Sequence, residues 1–121
     1  MPNNNDFVIK NGVLTEYTGE GEEKVTIPNS VKEIGASAFS DCISLEYIVI
    51  PNSVTTIGSS AFDDCSRLIN ITIPNSVTKI GANVLAGCNN LKNVTAPAKF
   101  KDTLIKELGN KVEFIDSNEK K

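Results

Sequence analysis

The thiols of Cys42, Cys65 and Cys88 are the groups whose type and spacing bear most directly on chemistry, because they recur every 23 residues. A thiol can pair with another thiol, ligate zinc or act as a nucleophile. If units of this period stack like strands, neighbouring cysteines lie roughly 4.8 Å apart, inside the Cα window for a disulfide. Stacked side chains, however, point the same way rather than toward each other, and three cysteines leave one unpaired. Zinc fits worse. Thiolates spread over about 10 Å cannot share one ion with bonds of about 2.3 Å, and the chain has no histidine. The column reads as three small buried hydrophobes, reduced and metal-free.

The other chemistry-bearing residues also read as structure. With no His, no Trp and no cysteine outside the column, the chain reads as noncatalytic and without a cofactor; serine–lysine and carboxylate pairs are the options left. Asp63-Asp64 is an acidic pair whose neighbouring side chains diverge, which suits a turn or a solvated surface. Gly19-x-Gly21 is too short for a phosphate loop and has no helix after it. Asn70-Ile71-Thr72 and Asn93-Val94-Thr95 have the form of glycosylation sequons, each arising where an Asn precedes a strand. Asn29, Asn52 and Asn75, with Ser30, Ser53 and Ser76, repeat without variation. Side-chain to backbone hydrogen bonds closing turns explain that constancy better than a binding ladder does.

The elements that must position these groups follow from the repeat. Ile-Pro-Asn-Ser-Val begins at Ile27, Ile50 and Ile73, again a period of 23 residues. Leu45, Ile48 and Ile50 match Leu68, Ile71 and Ile73, then Leu91 and Val94. The alternation in Ile48-Val49-Ile50 and Ile71-Thr72-Ile73 predicts a short strand with one buried face. Pro28, Pro51, Pro74 and Pro97 follow, lacking the N–H that would extend it. A second apolar set, Val31/Val54/Val77 and Ile34/Ile57/Ile80, leads to Gly35, Gly58 and Gly81, where a positive φ or a close approach is expected. Ser37-Ala38-Phe39, Ser60-Ala61-Phe62 and Asn83-Val84-Leu85 are each expected to form one or two helical turns, held by stacking of Phe39, Phe62 and Leu85.

The string Ile-Pro-Asn-Ser-Val-Thr-x-Ile-Gly-x-x-Ala-Phe-x-x-Cys-x-x-Leu resembles the BspA-like, or Treponema-type, leucine-rich repeat over residues 25–97. The fold class this implies is an α/β solenoid, a short right-handed leucine-rich repeat coil. The resemblance further implies a surface or secreted protein of a host-associated microbe, with adhesion and protein binding as its role.

A stack of apolar coils needs terminal units unlike the repeat. Phe7–Lys10 and Val13–Tyr17 flank Asn11-Gly12, the strongest short hairpin signal, and predict a β-hairpin cap. At the other end, Lys101–Leu108 predicts an amphipathic helix ending near Gly109, and Val112–Ile115 a last strand. Adding the period to Leu85 and Leu91 reaches Leu108 and Phe114, which are expected to continue those two columns. The expected divisions are a flexible start and cap over 1–24, three repeats over 25–93, a partial repeat and cap over 94–116, and a tail over 117–121, all in one domain.

Charge and hydropathy narrow the partners. With 12 Lys+Arg against 15 Asp+Glu the net charge is −3, and no basic cluster or aromatic platform appears, so nucleic acid is excluded as a partner. No stretch approaches the roughly 20 apolar residues of a membrane span, and no leader opens the chain. That leaves a surface or secreted protein whose leader lies outside this sequence, or a cytoplasmic one.

In a solenoid, partner-binding residues lie outside the core and differ between coils. The outward strand positions meet both conditions: Lys24, Tyr47, Asn70 and Asn93 in one column, Thr26, Val49, Thr72 and Thr95 in the next, and Ile69 beyond. Tyr47, Val49, Ile69, Asn70, Thr72, Asn93 and Thr95 are therefore the candidate face, for a protein or a glycan. The strand spacings give that face about 260 Å², against roughly 800 Å² per partner for a standard interface. The expected function is a noncatalytic interaction module of adhesion type, with a structural spacer or a cytoplasmic scaffold as the alternatives.

Overall fold

The computed structural model describes residues 6–109 and 112–117 of the chain. The expected flexible start at Met1–Asn5 and the tail beyond Ser117 lie outside the described residues. The chain winds into coils whose strands form two five-stranded sheets. One sheet is built from β3 (Lys24–Thr26), β5 (Tyr47–Val49), β7 (Asn70–Thr72), β9 (Asn93–Ala96) and β10 (Glu113–Asp116), side by side in that order. All its neighbours are parallel. Its register follows the sequence period, placing Lys24, Tyr47, Asn70 and Asn93 in one row and Val25, Ile48, Ile71 and Val94 in the next. The strands begin at the expected outward positions Tyr47 and Asn70 and stop one residue short of the expected Ile50 and Ile73. The ladder is extended upstream by the Tyr47 amide, which donates to Glu23 O at 3.0 Å.

Of the second sheet only the hairpin was predicted. The sheet runs β1 (Phe7–Lys10), β2 (Val13–Tyr17), β4 (Glu33–Ile34), β6 (Thr56–Ile57) and β8 (Lys79–Ile80). Two-residue strands are too short to show an alternating pattern, and only stacking makes them strands. Their ladder is carried by bonds such as Thr55 N–H to Lys32 O at 2.8 Å and Gly58 N–H to Ile34 O at 2.7 Å. The glycines after these strands have no positive φ. They permit close approach instead: a Cβ at Gly35 would sit 2.9 Å from Leu14 O, and one at Gly58 2.7 Å from the Ala36 nitrogen. At Gly81 it would collide with the Ser59 backbone.

The expected helical turns after each glycine do not form. Ser37, Ser60 and Asn83 adopt φ of 60°, 58° and 59°, and Asp41, Asp64 and Gly87 adopt 61°, 58° and 78°. A left-handed residue at each end of a five-residue segment breaks any helix, and Ser, Asn and Asp bear that conformation better than β-branched residues do. The amides thereby released turn along the stack. Ser37, Phe39 and Asp41 donate to Ser59, Ala61 and Asp63 at 3.0, 2.8 and 2.9 Å, and Ser60, Phe62 and Asp64 repeat the pattern one coil on. This makes a third hydrogen-bonded wall without regular secondary structure.

The core lies between these walls. Phe39 and Phe62 are fully buried and stacked at 5.3 Å, and the column continues into the hairpin through Tyr17, 5.1 Å from Phe39, and Phe7, 5.3 Å from Tyr17. The serine row is structural, but its bonds join coils instead of closing turns as expected: the Ser53 and Ser76 hydroxyls donate to Val31 O and Val54 O of the preceding coil, both at 2.7 Å. Asn29, Asn52 and Asn75 are exposed.

Both ends close as the sequence indicates. β1 and β2 pair antiparallel around Asn11 (φ 53°) and Gly12 (φ 82°). The helix α1 (Lys101–Leu108) buries Leu104 and Leu108 and stops at Gly109, whose φ is 81° and whose amide donates to Ile105 O at 2.7 Å. The last strand departs from the period. Phe114 pairs with Val94 rather than continuing the column of Leu91, because the α1 segment makes this final turn of chain shorter.

Candidate functional site

The parallel sheet that begins at β3 turns alternate side chains outward, and its register places the candidate residues on that face. Tyr47 is 41% exposed and Val49 45%, and Thr72 is exposed as well. Asn70, Asn93 and Thr95, expected to be solvent-exposed, are half-buried, as is Ile69. Their short side chains are partly covered by the residues paired with them on either side: Asn70 stands between Tyr47 and Asn93, Asn93 between Asn70 and Glu113, and Thr95 between Thr72 and Ile115. Tyr47 and Val49 lie two residues apart on one strand, so they stand on the same side of it. With Lys24, Asn70 and Thr72 they border a shallow open depression of about 520 Å³. An adjoining depression shares Val49 and adds the exposed Asn29 and Asn52.

One residue of this face escaped the sequence reading. Ile115 pairs with Thr95, so it extends the outward row of Val49, Thr72 and Thr95 and is itself 37% exposed. The signal was hidden because the fixed period of 23 residues, read from the repeats, does not reach β10.

The cysteines form one column, but not a uniform one. Cys65 and Cys88 are buried; Cys42, expected to be buried, is half-buried at the N-terminal end of the column. All three are free thiols. Cys65 Sγ donates to Phe39 O at 3.1 Å and Cys88 Sγ to Phe62 O at 3.2 Å, each reaching back one coil. Burial pushes the Cys88 thiol up to about 12. Cys65 is also raised, by the neighbouring Cys42 sulfur and by burial, whereas Cys42 is lowered by the neighbouring Cys65. Asp63, half of the acidic pair, accepts a hydrogen bond from the Ser40 hydroxyl of the coil before, a stacking role. Among the described residues no cluster of three or more His, Cys, Asp or Glu is arranged to hold a metal ion, and no helix is long and apolar enough to cross a membrane.

Short parallel strands stacked at a constant register, with an aliphatic core and irregular segments on the remaining side, define a leucine-rich repeat solenoid. Residues 16–112 match the family model described as BspA type leucine rich repeat region (6 copies), and the chain belongs to that family. Among solved structures it is similar to a leucine-rich repeat protein from Eubacterium ventriosum, with 34% identity and a TM-score of 0.69 over 82% of this chain and 29% of that one. A leucine-rich cell surface protein from Faecalibacterium prausnitzii shares 39% identity at a TM-score of 0.59, over 61% of this chain and 19% of that one. The T. pallidum leucine-rich repeat protein, 23% identical at a TM-score of 0.58 over 95% of this chain and 64% of that one, shares the fold. The chain thus spans less than a third of the length of the first two. No curated protein matches it.

Proposed function

We propose that this chain is a noncatalytic interaction module of a surface or secreted bacterial protein, and that it holds a protein partner on the outward face of the sheet beginning at β3. The observation that carries the reading is the pair Tyr47 and Val49. Two large apolar side chains stand exposed beside Lys24, at the edge of a depression on a rigid parallel sheet. An aromatic anchor set among polar neighbours is the usual composition of a binding hot spot. Membership of the leucine-rich repeat family supports an interaction role, and the cell surface description of the F. prausnitzii relative supports the location.

The face is small beside the roughly 800 Å² per partner of a standard interface. Binding by one such face is therefore weak and gains strength through several faces acting together. The test is capture of partners from host-cell surface extracts on immobilised protein, comparing the natural chain with a Tyr47→Ala, Val49→Ser double variant. The partner retained by the natural chain is expected to be lost from the variant, while the two melt alike. Equal capture by both moves the contact surface off this face.

A further inference from the structure

Cys42 differs from the two thiols above it in having a cleft. The loop after β2, Thr18–Glu22, and the segment Ser40–Leu45 enclose about 400 Å³ of space, and Cys42 is part of its wall. Every charged residue lining this cleft is acidic: Glu20, Glu22 and Asp41. Tyr17 also lines it, only 9% exposed, with its hydroxyl buried and without a hydrogen-bond partner. That hydroxyl is fixed in place, since the ring is stacked on Phe39 and packed against Phe7, and it lies against Gly19, where any side chain would strike it. Burial, with Asp6, Glu22 and Cys42 adding to it, pushes the phenol up to about 12, so it stays neutral, with oxygen lone pairs to offer. An unpaired acceptor among carboxylates is suited to an ammonium group.

We propose that Cys42 is a covalent modification site that exchanges with small aminothiol disulfides, the ammonium seating between the Tyr17 hydroxyl and the cleft carboxylates. Cys42 gives its proton to solvent, and its sulfur attacks one sulfur of the disulfide. A new S–S bond forms to Cys42 as the old one breaks, and the departing aminothiolate takes a proton from solvent. One disulfide is consumed and one formed, so no other oxidant enters. Cys65 and Cys88 are out of reach: both are buried, with their thiols bonded to carbonyls of the preceding coil.

The experiment treats the folded full chain at low ionic strength with cystamine, with the neutral 2-hydroxyethyl disulfide and with the anionic dithiodiglycolate. Each rate is divided by that of N-acetylcysteine with the same reagent, and products are followed by intact mass and peptide mapping. A single adduct at Cys42 is expected, with cystamine favoured over dithiodiglycolate by about tenfold or more, an advantage that collapses in about 1 M salt. Tyr17→Phe should slow cystamine severalfold and leave 2-hydroxyethyl disulfide unchanged. Glu20→Gln, on the exposed loop, should reduce the charge preference without touching the core. Equal normalised rates, parallel labelling of Cys65 or Cys88, or a Cys42–Cys65 bridge in place of the adduct would each overturn the proposal.

Discussion

The carboxylate of Glu107 accepts the backbone amide of Asn83 at 2.8 Å, in the place that a backbone carbonyl of the next coil occupies for Ser37 and Ser60. Its other oxygen accepts the Leu85 amide at 3.3 Å, where Phe39 and Phe62 have Ala61 and Val84. One side chain of α1 therefore ends the third wall of the solenoid by standing in for two missing carbonyls. Glu107→Ala should destabilise the protein by about 1–3 kcal/mol, because hydrogen bonds to a charged group are lost where two amides have no other coil to meet. Urea unfolding followed by circular dichroism measures it, and an unchanged midpoint would refute this account of the cap.

Removing residues 101–121 takes away Glu107 together with the buried Leu104 and Leu108. The end of the core is then bare, and a solenoid without its terminal unit is expected to aggregate or associate end to end. Light scattering should show this, and Leu108→Asp should reproduce it in part. A truncated chain that stays monomeric and equally stable would show that α1 is not the cap.

Much of this architecture was legible in the sequence, and the reasons differ between elements. The row Val25, Ile48, Ile71 and Val94 could be read because identical columns need only counting, and the hairpin and α1 could be read because Asn11-Gly12 and Gly109 mark turns by backbone chemistry. The two-residue strands β4, β6 and β8 could not, since nothing local distinguishes Glu33-Ile34 from a loop until another coil pairs with it. The helical turns were misread because Ser37 and Asp41 suit an N-cap and a turn equally, and only the stack selects their left-handed conformation. On the candidate face, Tyr47 and Val49 were legible as outward positions, whereas the partial burial of Asn70, Asn93 and Thr95 depends on neighbours supplied by adjacent coils.

The cysteine column should show a gradient of cost. Cys65→Ala and Cys88→Ala each remove a buried sulfur and its bond to a carbonyl, and about 1–3 kcal/mol is expected from each. Cys42→Ala, at a half-buried position, should cost less than either. Thermal melts of the three single variants test the order, and an equal cost at all three positions would contradict the difference in environment.

Stability should fall in alkali. Tyr17 is raised from 10.0 to about 12 in the folded state and Cys88 from 9.0 to about 12, so the unfolded chain loses these protons first. Their stabilising contribution is complete below pH 9 and disappears as the pH rises to about 12. For Tyr17 the loss approaches about 3 kcal/mol, from the size of its shift. Tyr17→Phe should flatten the upper part of the profile while leaving stability at pH 7 equal or higher, since the hydroxyl it removes has no partner. A variant whose stability declines above pH 10 as steeply as that of the natural chain would place the titrating group elsewhere.

Gly58 and Gly81 carry the closest approach between coils, and alanine tests it. The added Cβ would lie 2.7 Å from the Ala36 nitrogen in one case and against the Ser59 backbone in the other. Neither obstacle is the tip of a flexible side chain, so the coils must part to admit the methyl group. Each substitution should cost more than about 2 kcal/mol, above the ordinary range for a surface glycine. Gly21→Ala is the control, because open space surrounds it and only its φ of 74° resists a side chain, a cost of about 1–2 kcal/mol. If Gly58→Ala and Gly81→Ala prove no more damaging than Gly21→Ala in urea unfolding, the coils are less tightly stacked at the glycine row than the backbone spacing implies.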